Sequence, residues 1–176
     1  MLSAARGRGK SAFAARGAAG HDAAMALTLC LLRHGRATGQ GPDAALMPEG
    51  AEYVRTLGRR LAAEGFRPAR TYASPYLRAR DTATIVLSEV APGTRAEHLV
   101  ELTPEHDPER TLETLRALEL PAARVLLVAH LPLVALLVQA LTEDVVAFSP
   151  GTLVEVETDA ELRAGRVARV VGPPRH

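Results

Sequence analysis

The stretch that decides the fold is LCLLRHGRAT, residues 29–38. Its first four residues are apolar, which is typical of a strand that is buried on both faces in a parallel sheet. The run stops abruptly at Arg33, His34 and Gly35. Polar groups that follow such a strand lie at the carboxyl edge of an open α/β sheet, where ligands bind. We therefore predict a binding site at the end of this strand.

Strand-like apolar runs alternate with amphipathic helical runs from Met25 onward. This alternation is the signature of βαβ units, and it predicts an α/β fold with a mostly parallel central sheet flanked by helices. Strands are predicted over 26–32, 69–74, 96–102 and 124–130, with a closing pair on either side of a turn at Ala164-Gly165. Helices are predicted over 47–65, after Pro75, from Pro108 and over 132–141.

Five polar side chains fall at equivalent places in this pattern. Arg33 and His34 follow the first strand, Arg78 lies in the first turn of the helix after the second, Glu101 ends the third, and His130 ends the fourth. Each is weak as a single signal, but the strand ends of an open sheet converge on one crevice. Arginine forks bind phosphate oxygens, and imidazole supplies a nucleophile or a donor. The set indicates a phosphate site that needs no metal and no cofactor.

Length, charge and cysteine content limit the function classes. A chain of 176 residues suits one domain, and a net charge of +1 gives no field that would hold it to nucleic acid or to an anionic membrane. Cys30 is the only cysteine, which excludes a disulfide framework within one chain. No apolar run approaches the roughly 18 residues of a membrane span. We expect a cytoplasmic protein with no nucleic-acid or membrane partner.

The N-terminal segment, residues 1–24, differs from the rest of the chain. It contains four Arg or Lys residues and one Asp among many Ala and Gly residues, and we predict a disordered extension before a folded domain at 25–176. Three interpretations stay open: sequence upstream of a true start at Met25, an organelle-targeting segment, or a phosphate-binding arm. The GRGKS stretch at 7–11 is not a P-loop, because Ala4 occupies the place of the required first glycine.

Four sequence blocks together resemble the histidine phosphatase superfamily. They are LLRHG (31–35), SPYLRARDTA (74–83), ELTPE (101–105) and VAHLPLV (128–134), in the order of the family. In the residues of the last two blocks and in its lack of long insertions, the chain is most similar to the short SixA-type phosphohistidine phosphatases. This resemblance implies a three-layer, phosphoglycerate mutase-like fold.

The resemblance also implies a role for each site residue. His34 would be the nucleophile that forms a phosphohistidine intermediate, and Arg33, Arg78 and His130 would bind the phosphoryl oxygens. Gly35 would let the backbone approach the phosphate without obstruction. Glu101 occupies the position of the family's proton donor, which requires a protonated carboxyl near neutral pH.

Departures from the family pattern leave the substrate open. The stretch DAALMPEG (43–50) has Ala44 to Met47 where SixA relatives have an Arg and a Leu-Thr, and Ala129 replaces a common Ser. The first hypothesis is a phosphatase acting on phosphohistidine in a protein, because short spacings leave no room for a lid over a metabolite. The second is a phosphomonoesterase acting on a small phosphate ester, and the third is a non-catalytic phosphate-binding module.

Overall fold

The computed structural model describes residues 27–173, so the predicted extension at 1–24 lies outside the described residues. The strands are β1 (Leu27–Arg33), β2 (Arg70–Ala73), β3 (Glu97–His98), β4 (Arg124–Ala129), β5 (Leu153–Thr158) and β6 (Gly165–Val171). The helices are α1 (Pro48–Ala63), α2 (Leu77–Val90), α3 (Pro108–Ala117) and α4 (Leu133–Thr142), with a 3-10 turn at Val100–Leu102. In this part of the chain no helix has the length and apolar character that a membrane crossing requires.

The strands form one six-stranded sheet in the order β3-β2-β4-β1-β5-β6. The first four strands in this order are parallel, while β5 and β6 join antiparallel at the other edge. The α/β fold predicted from the sequence, with a mostly parallel sheet flanked by helices, is confirmed. The central strand β4 is flanked by β2 and β1, as its apolar sequence predicted.

Both faces of the sheet are buried, and β1 shows how. Leu29 and Leu31 point into the core that contains α3 and α4, whereas Cys30 and Leu32 point into the core that contains α1 and α2. Successive side chains of a strand point to opposite faces, so the continuous apolar sequence of β1 places apolar groups on both faces of the sheet. Each face therefore requires a covering layer of helices. The three-layer arrangement follows from this requirement.

The third predicted strand is much shorter than expected. Only Glu97 and His98 pair with β2, and the chain then enters the 3-10 turn that contains Glu101. The prediction that Glu101 ends a strand is therefore wrong. Both paired residues are exposed at the sheet edge, so little burial holds a longer strand there.

The start of α1 packs directly on the loop that follows β1. A Cβ added at Gly50 would overlap the backbone of Arg36. Gly50→Ala is therefore expected to lower the free energy of unfolding by about 2 kcal/mol, since inserted atoms in a packed core cost roughly 1–3 kcal/mol. Chemical denaturation measures this loss. Gly41→Ala is the matched control, because a Cβ at Gly41 has no neighbour within 4 Å in the described structure; an equal loss in both variants would contradict the packing argument.

Candidate phosphate-binding active site

A cleft of about 270 Å³ lies at the carboxyl ends of β1 and β4. Four of the predicted site residues line it: Arg33, His34, Arg78 and His130. Its remaining walls come from four loops and comprise Arg36, Ala37, Gly39, Gln40, Pro104, Leu131 and Pro150. The strand ends therefore bring together side chains that lie far apart in the sequence, as the parallel sheet predicted.

His34 has a single hydrogen-bonding arrangement of its two ring nitrogens. Nδ1 lies 2.7 Å from the carbonyl oxygen of Gly35, and because a carbonyl can only accept, Nδ1 carries the proton. Nε2 lies 3.2 Å from Nε of Arg78, which donates to it. A neutral imidazole with its lone pair on Nε2 satisfies both contacts. His34 is 8% exposed and lines the cleft.

Arg78 is held from three sides in the first turn of α2. Its Nε donates to His34, and its Nη1 donates to the carbonyl oxygen of Gly41 over 2.6 Å. The guanidinium carbon also lies 5.2 Å from the centre of the Tyr76 ring, within the range of a cation–π contact. The side chain is 3% exposed although it carries a charge. Such a fixed, buried cation is suited to an anionic ligand.

His130 follows β4 and lies against His34. The two ring centres are 4.9 Å apart. Nε2 of His130 is hydrogen-bonded to Oγ of Ser74 over 2.8 Å, while its buried Nδ1 has no hydrogen-bond partner within residues 27–173. Buried polar atoms are rarely left without a partner, so this nitrogen is a candidate contact for a ligand.

Arg33 is fixed by the segment that precedes β5. Its Nη1 donates to the carbonyl oxygen of Phe148 over 2.7 Å. Its backbone N–H donates to Thr152, and its carbonyl accepts from Gly151. Nε of Arg33 is buried and lacks a hydrogen-bond partner in the described part of the chain. A second guanidinium donor is thus held beside the cleft.

Burial and the arginines keep both imidazoles neutral. Burial lowers the pKa of His34 from its ordinary value near 6.5 to about 4; the Gly35 hydrogen bond opposes this change, and Arg78 and Arg33 add to it. Burial likewise lowers the pKa of His130 to about 3, and repulsion from His34 and the same two arginines adds to the effect. At neutral pH the positive charge of the pocket therefore comes from guanidiniums.

Gly35 is not among the residues that line the cleft. Its N–H donates to Oγ1 of Thr82 over 3.0 Å, and its carbonyl oxygen fixes His34. An added Cβ would lie 2.8 Å from a methyl group of Val54. The glycine is required by close packing against α1, whereas the sequence analysis explained it by approach of the backbone to phosphate.

Glu101 is not brought into the cleft. It lies in the 3-10 turn at Val100–Leu102, and from the same segment Pro104 is the residue that lines the wall. The position that the family pattern gives to a proton donor therefore has no geometric support here. The direction of this turn depends on its packing against α3, where Oγ1 of Thr111 donates to the backbone carbonyl of Glu101.

The structure adds residues that the sequence analysis did not single out. Ser74 holds His130, and Thr82 joins the loop after β1 to α2 by accepting from Gly35 and donating to the carbonyl of Arg78. Both lie in the block at 74–83, and Thr82 follows Arg78 by four residues, which places them on one helix face. This four-residue spacing is the feature of the sequence from which Thr82 could have been identified.

Tyr76 was also missed. Its ring contacts His130 edge-on at 5.2 Å, and its hydroxyl donates to Glu105 over 2.8 Å. This bond ties the start of α2 to the loop that carries Pro104. Within residues 27–173 no group of three or more His, Cys, Asp and Glu side chains has metal-binding geometry.

A mixed six-stranded sheet that carries Arg-His-Gly at the end of its first strand defines the phosphoglycerate mutase-like class of α/β proteins. The model of the histidine phosphatase superfamily (branch 1) matches residues 29–118, and the chain belongs to this superfamily. The predicted family is thereby confirmed. Phosphatase chemistry is the function that this membership supports.

Solved structures agree with this assignment. The protein histidine phosphatase SixA, complexed with tungstate, matches with a TM-score of 0.75 and 28% identity over 82% of this chain and 96% of that chain. A SixA-type protein from Agrobacterium tumefaciens matches with a TM-score of 0.69 and 19% identity over 84% and 98% of the two chains. A SixA-type protein from Nakamurella multipartitia matches with a TM-score of 0.64 and 23% identity over 83% of this chain and 95% of that chain. The last two identities show the fold alone, and no curated protein sequence matches the chain.

Proposed function

We propose that this phosphatase removes the phosphoryl group from phosphohistidine in a protein, through a phosphohistidine intermediate on His34. The observation that carries the proposal is the arrangement of His34: Nδ1–H is bonded to the Gly35 carbonyl, and the lone pair of Nε2 is directed to the guanidinium of Arg78. A neutral, oriented imidazole beside a bound phosphoryl group is a competent nucleophile.

The reaction then proceeds in two displacements. The Nε2 lone pair of His34 forms a bond to phosphorus while the bond from phosphorus to the substrate imidazole, which is protonated on its other ring nitrogen, breaks; the leaving nitrogen keeps the electron pair, so the imidazole leaves as a neutral ring. A water molecule next attacks phosphorus, the bond to Nε2 breaks, and inorganic phosphate leaves after the water has lost a proton to solvent. Neutral His34 is regenerated. Splitting one difficult substitution into two easier ones is the advantage of covalent catalysis.

Charge on the transferred phosphoryl oxygens is met by donors that are already in place. The Nε–H of Arg78 that now bonds to His34 is adjacent to the attacking nitrogen. Nε of Arg33 is a further buried donor without a partner in the described structure, and His130 lines the same cleft. Donors that need no reorganisation stabilise a loose phosphoryl transition state most effectively.

The lining of the cleft favours an imidazole leaving group. Of the described residues that line it, none is Asp or Glu, and Glu101 lies outside it. An alkoxide leaving group requires a proton donor in the site, whereas a phosphohistidine ring that is protonated on its other nitrogen releases neutral imidazole, whose conjugate acid has a pKa near 6.5, and requires no such donor. The tungstate complex of the SixA neighbour adds support, because tungstate is an oxyanion of phosphate-like shape.

A panel of substrates tests the proposal. We expect kcat/KM toward a phosphohistidine-containing phosphotransfer protein to exceed that toward sugar phosphates and nucleotides by at least tenfold, which corresponds to about 1.4 kcal/mol. Partner surface, and not enclosure, would supply the binding energy at an open cleft. Equal or better turnover of one small ester would favour the phosphomonoesterase alternative, and no turnover of any phosphate compound would favour the binding-module alternative.

The histidine pKa values give a pH prediction. Because the folded-state pKa values of His34 and His130 lie near 4 and 3, both rings are expected to remain neutral as the pH falls from 8 to about 5. NMR titration of the two rings in the free protein measures this. In urea-unfolded protein the same rings should titrate near 6.5; a folded-state midpoint above pH 6 would contradict the assignment of a neutral nucleophile.

The free energy of unfolding is expected to depend on pH because the two histidine pKa values differ between the folded and the unfolded protein. The unfolded chain takes up protons first, so the free energy of unfolding is unaffected well above pH 6.5 and decreases as the pH falls from 6.5 toward 4. The contribution of His34 to this loss is about 3 kcal/mol near pH 4. A variant with both His34→Gln and His130→Gln is expected to lack this part of the pH dependence.

A further inference from the structure

We propose that Arg36 is a specificity-determining residue that binds a second negative charge on the substrate, a carboxylate beside the phosphoryl group. The inference rests on the proposed function and narrows its substrate class. It assigns a role to a side chain that the phosphoryl-transfer steps do not use.

The charge of the cleft exceeds what a phosphoryl group can balance. Three arginines line it, Arg33, Arg36 and Arg78, and its two histidines are neutral at pH 7. A phosphoryl dianion brings two negative charges against three positive ones. One guanidinium therefore remains for another anionic group of the substrate.

Of the three arginines, Arg36 is the one whose guanidinium is least engaged by other groups of the protein. The guanidinium of Arg78 donates to His34 and Gly41, and that of Arg33 donates to Phe148. Arg36 has, among residues 27–173, one ion-pair partner: Glu49 at 4.0 Å, with side chains that are 67% and 55% exposed.

An exposed pair at this distance contributes little to stability. Arg36 can therefore exchange Glu49 for a carboxylate of the substrate with little loss. Its guanidinium presents a planar fork that matches a carboxylate geometrically.

The backbone of Arg36 holds this side chain at a fixed place. Its carbonyl oxygen accepts from the N–H of Met47 over 2.8 Å, and Gly50 at the start of α1 packs directly against it. The side chain thus extends from a rigid base, two residues after the nucleophile.

Arg36 also marks the point where two clefts meet. Together with Pro150 it lines both the phosphate cleft and a neighbouring cleft of about 280 Å³ that contains Tyr53. A group attached to the phosphorylated residue can extend past Arg36 into this second space. The carboxylate is therefore expected to lie next to the phosphoryl group and not within the cleft of the nucleophile.

Two sources could present such a carboxylate: an acidic side chain beside phosphohistidine, or the carboxyl group of a small phosphate ester. The test uses one matched pair for each source. The peptide pair is a chemically phosphorylated histidine peptide with Asp or Asn at the adjacent position. The ester pair is phosphoglycolate and ethyl phosphate.

For the wild-type protein we expect a preference of about tenfold in kcat/KM for the Asp peptide over the Asn peptide. Arg36→Gln is expected to reduce this ratio to about one, and Arg36→Glu to reverse it. Arg80→Gln is the matched control, since Arg80 is exposed on α2 and lines a different cleft. It should leave the ratio unchanged.

The outcomes separate the two proposals. A preference that Arg36→Gln removes in the ester pair and not in the peptide pair still supports Arg36 as a carboxylate site and assigns the source to a small ester. Turnover without any acidic preference in either pair, or a preference that survives Arg36→Gln in every pair that shows one, overturns this inference alone. Failure to turn over any of the four substrates overturns the proposed function and this inference with it.

Discussion

Replacing His34 with alanine is expected to lower kcat by about 10⁴-fold or more, because removal of the proposed covalent nucleophile would leave only binding and electrostatic stabilisation. Steady-state kinetics on the preferred phosphohistidine substrate measures this. Nε2 of the neighbouring His130 is bonded to Ser74 and so does not replace the nitrogen that is lost. The variant should still fold, because the removed ring faces a cleft and not the apolar core.

Trapping of the intermediate separates chemistry from folding. Wild-type protein quenched during turnover of a radiolabelled substrate is expected to carry acid-labile, alkali-stable label, and His34→Ala is expected to carry none. His98→Ala serves as the control, because His98 is an exposed histidine in β3. Label of equal amount in His34→Ala would assign the nucleophile to another residue.

Arg78→Ala is expected to lower kcat/KM by about 10²–10³-fold, whereas Arg80→Ala should leave it within about twofold. Loss of one preorganised donor to a developing anion has an effect of this size. The two arginines share α2, but Arg78 is buried against His34 while Arg80 is exposed. Residues two apart on a helix do not share a face.

A conservative variant distinguishes a ligand contact from a structural one. Arg78→Lys keeps the positive charge but cannot contact both His34 and Gly41 through a planar fork. We expect an intermediate loss of activity with a Tm close to that of the wild type. Equal activity losses in the Arg78 and Arg80 alanine variants would show that the guanidinium of Arg78 does not act on the substrate.

Much of the fold could be predicted because the hydrophobic pattern of each segment agrees with the burial that the tertiary structure requires of it. The apolar runs of β1 and β4 require cover on both faces, and the helices that supply it begin at prolines, as in α1 and α3. The strand predicted over 96–102 failed for the opposite reason. At an exposed edge with a single neighbouring strand, only Glu97 and His98 pair, and no burial pattern enforces more.

The candidate site likewise contains residues whose position could be predicted from the sequence and residues whose position could not. Arg33, His34 and His130 lie at the ends of buried strands, so their meeting in one cleft follows from a parallel sheet. Glu101 could not be placed by this rule, because it follows a two-residue strand and its direction is set by a 3-10 turn. Gly35 was predicted to contact the substrate but does not line the cleft, and its close packing on Val54 depends on where α1 lies.

The sequence by itself determined the α/β alternation and the strand ends at which charged side chains gather, because these follow from periodicity within short segments, and the resemblance of its four sequence blocks indicated the family. Only the tertiary structure decided the protonation and orientation of the His34 ring. His34 and Arg78 are 44 residues apart, and Ser74 and His130 are 56 apart. Hydrogen bonds between such pairs exist only after the sheet has set its strand order, and no local pattern encodes which nitrogen of an imidazole will face which partner.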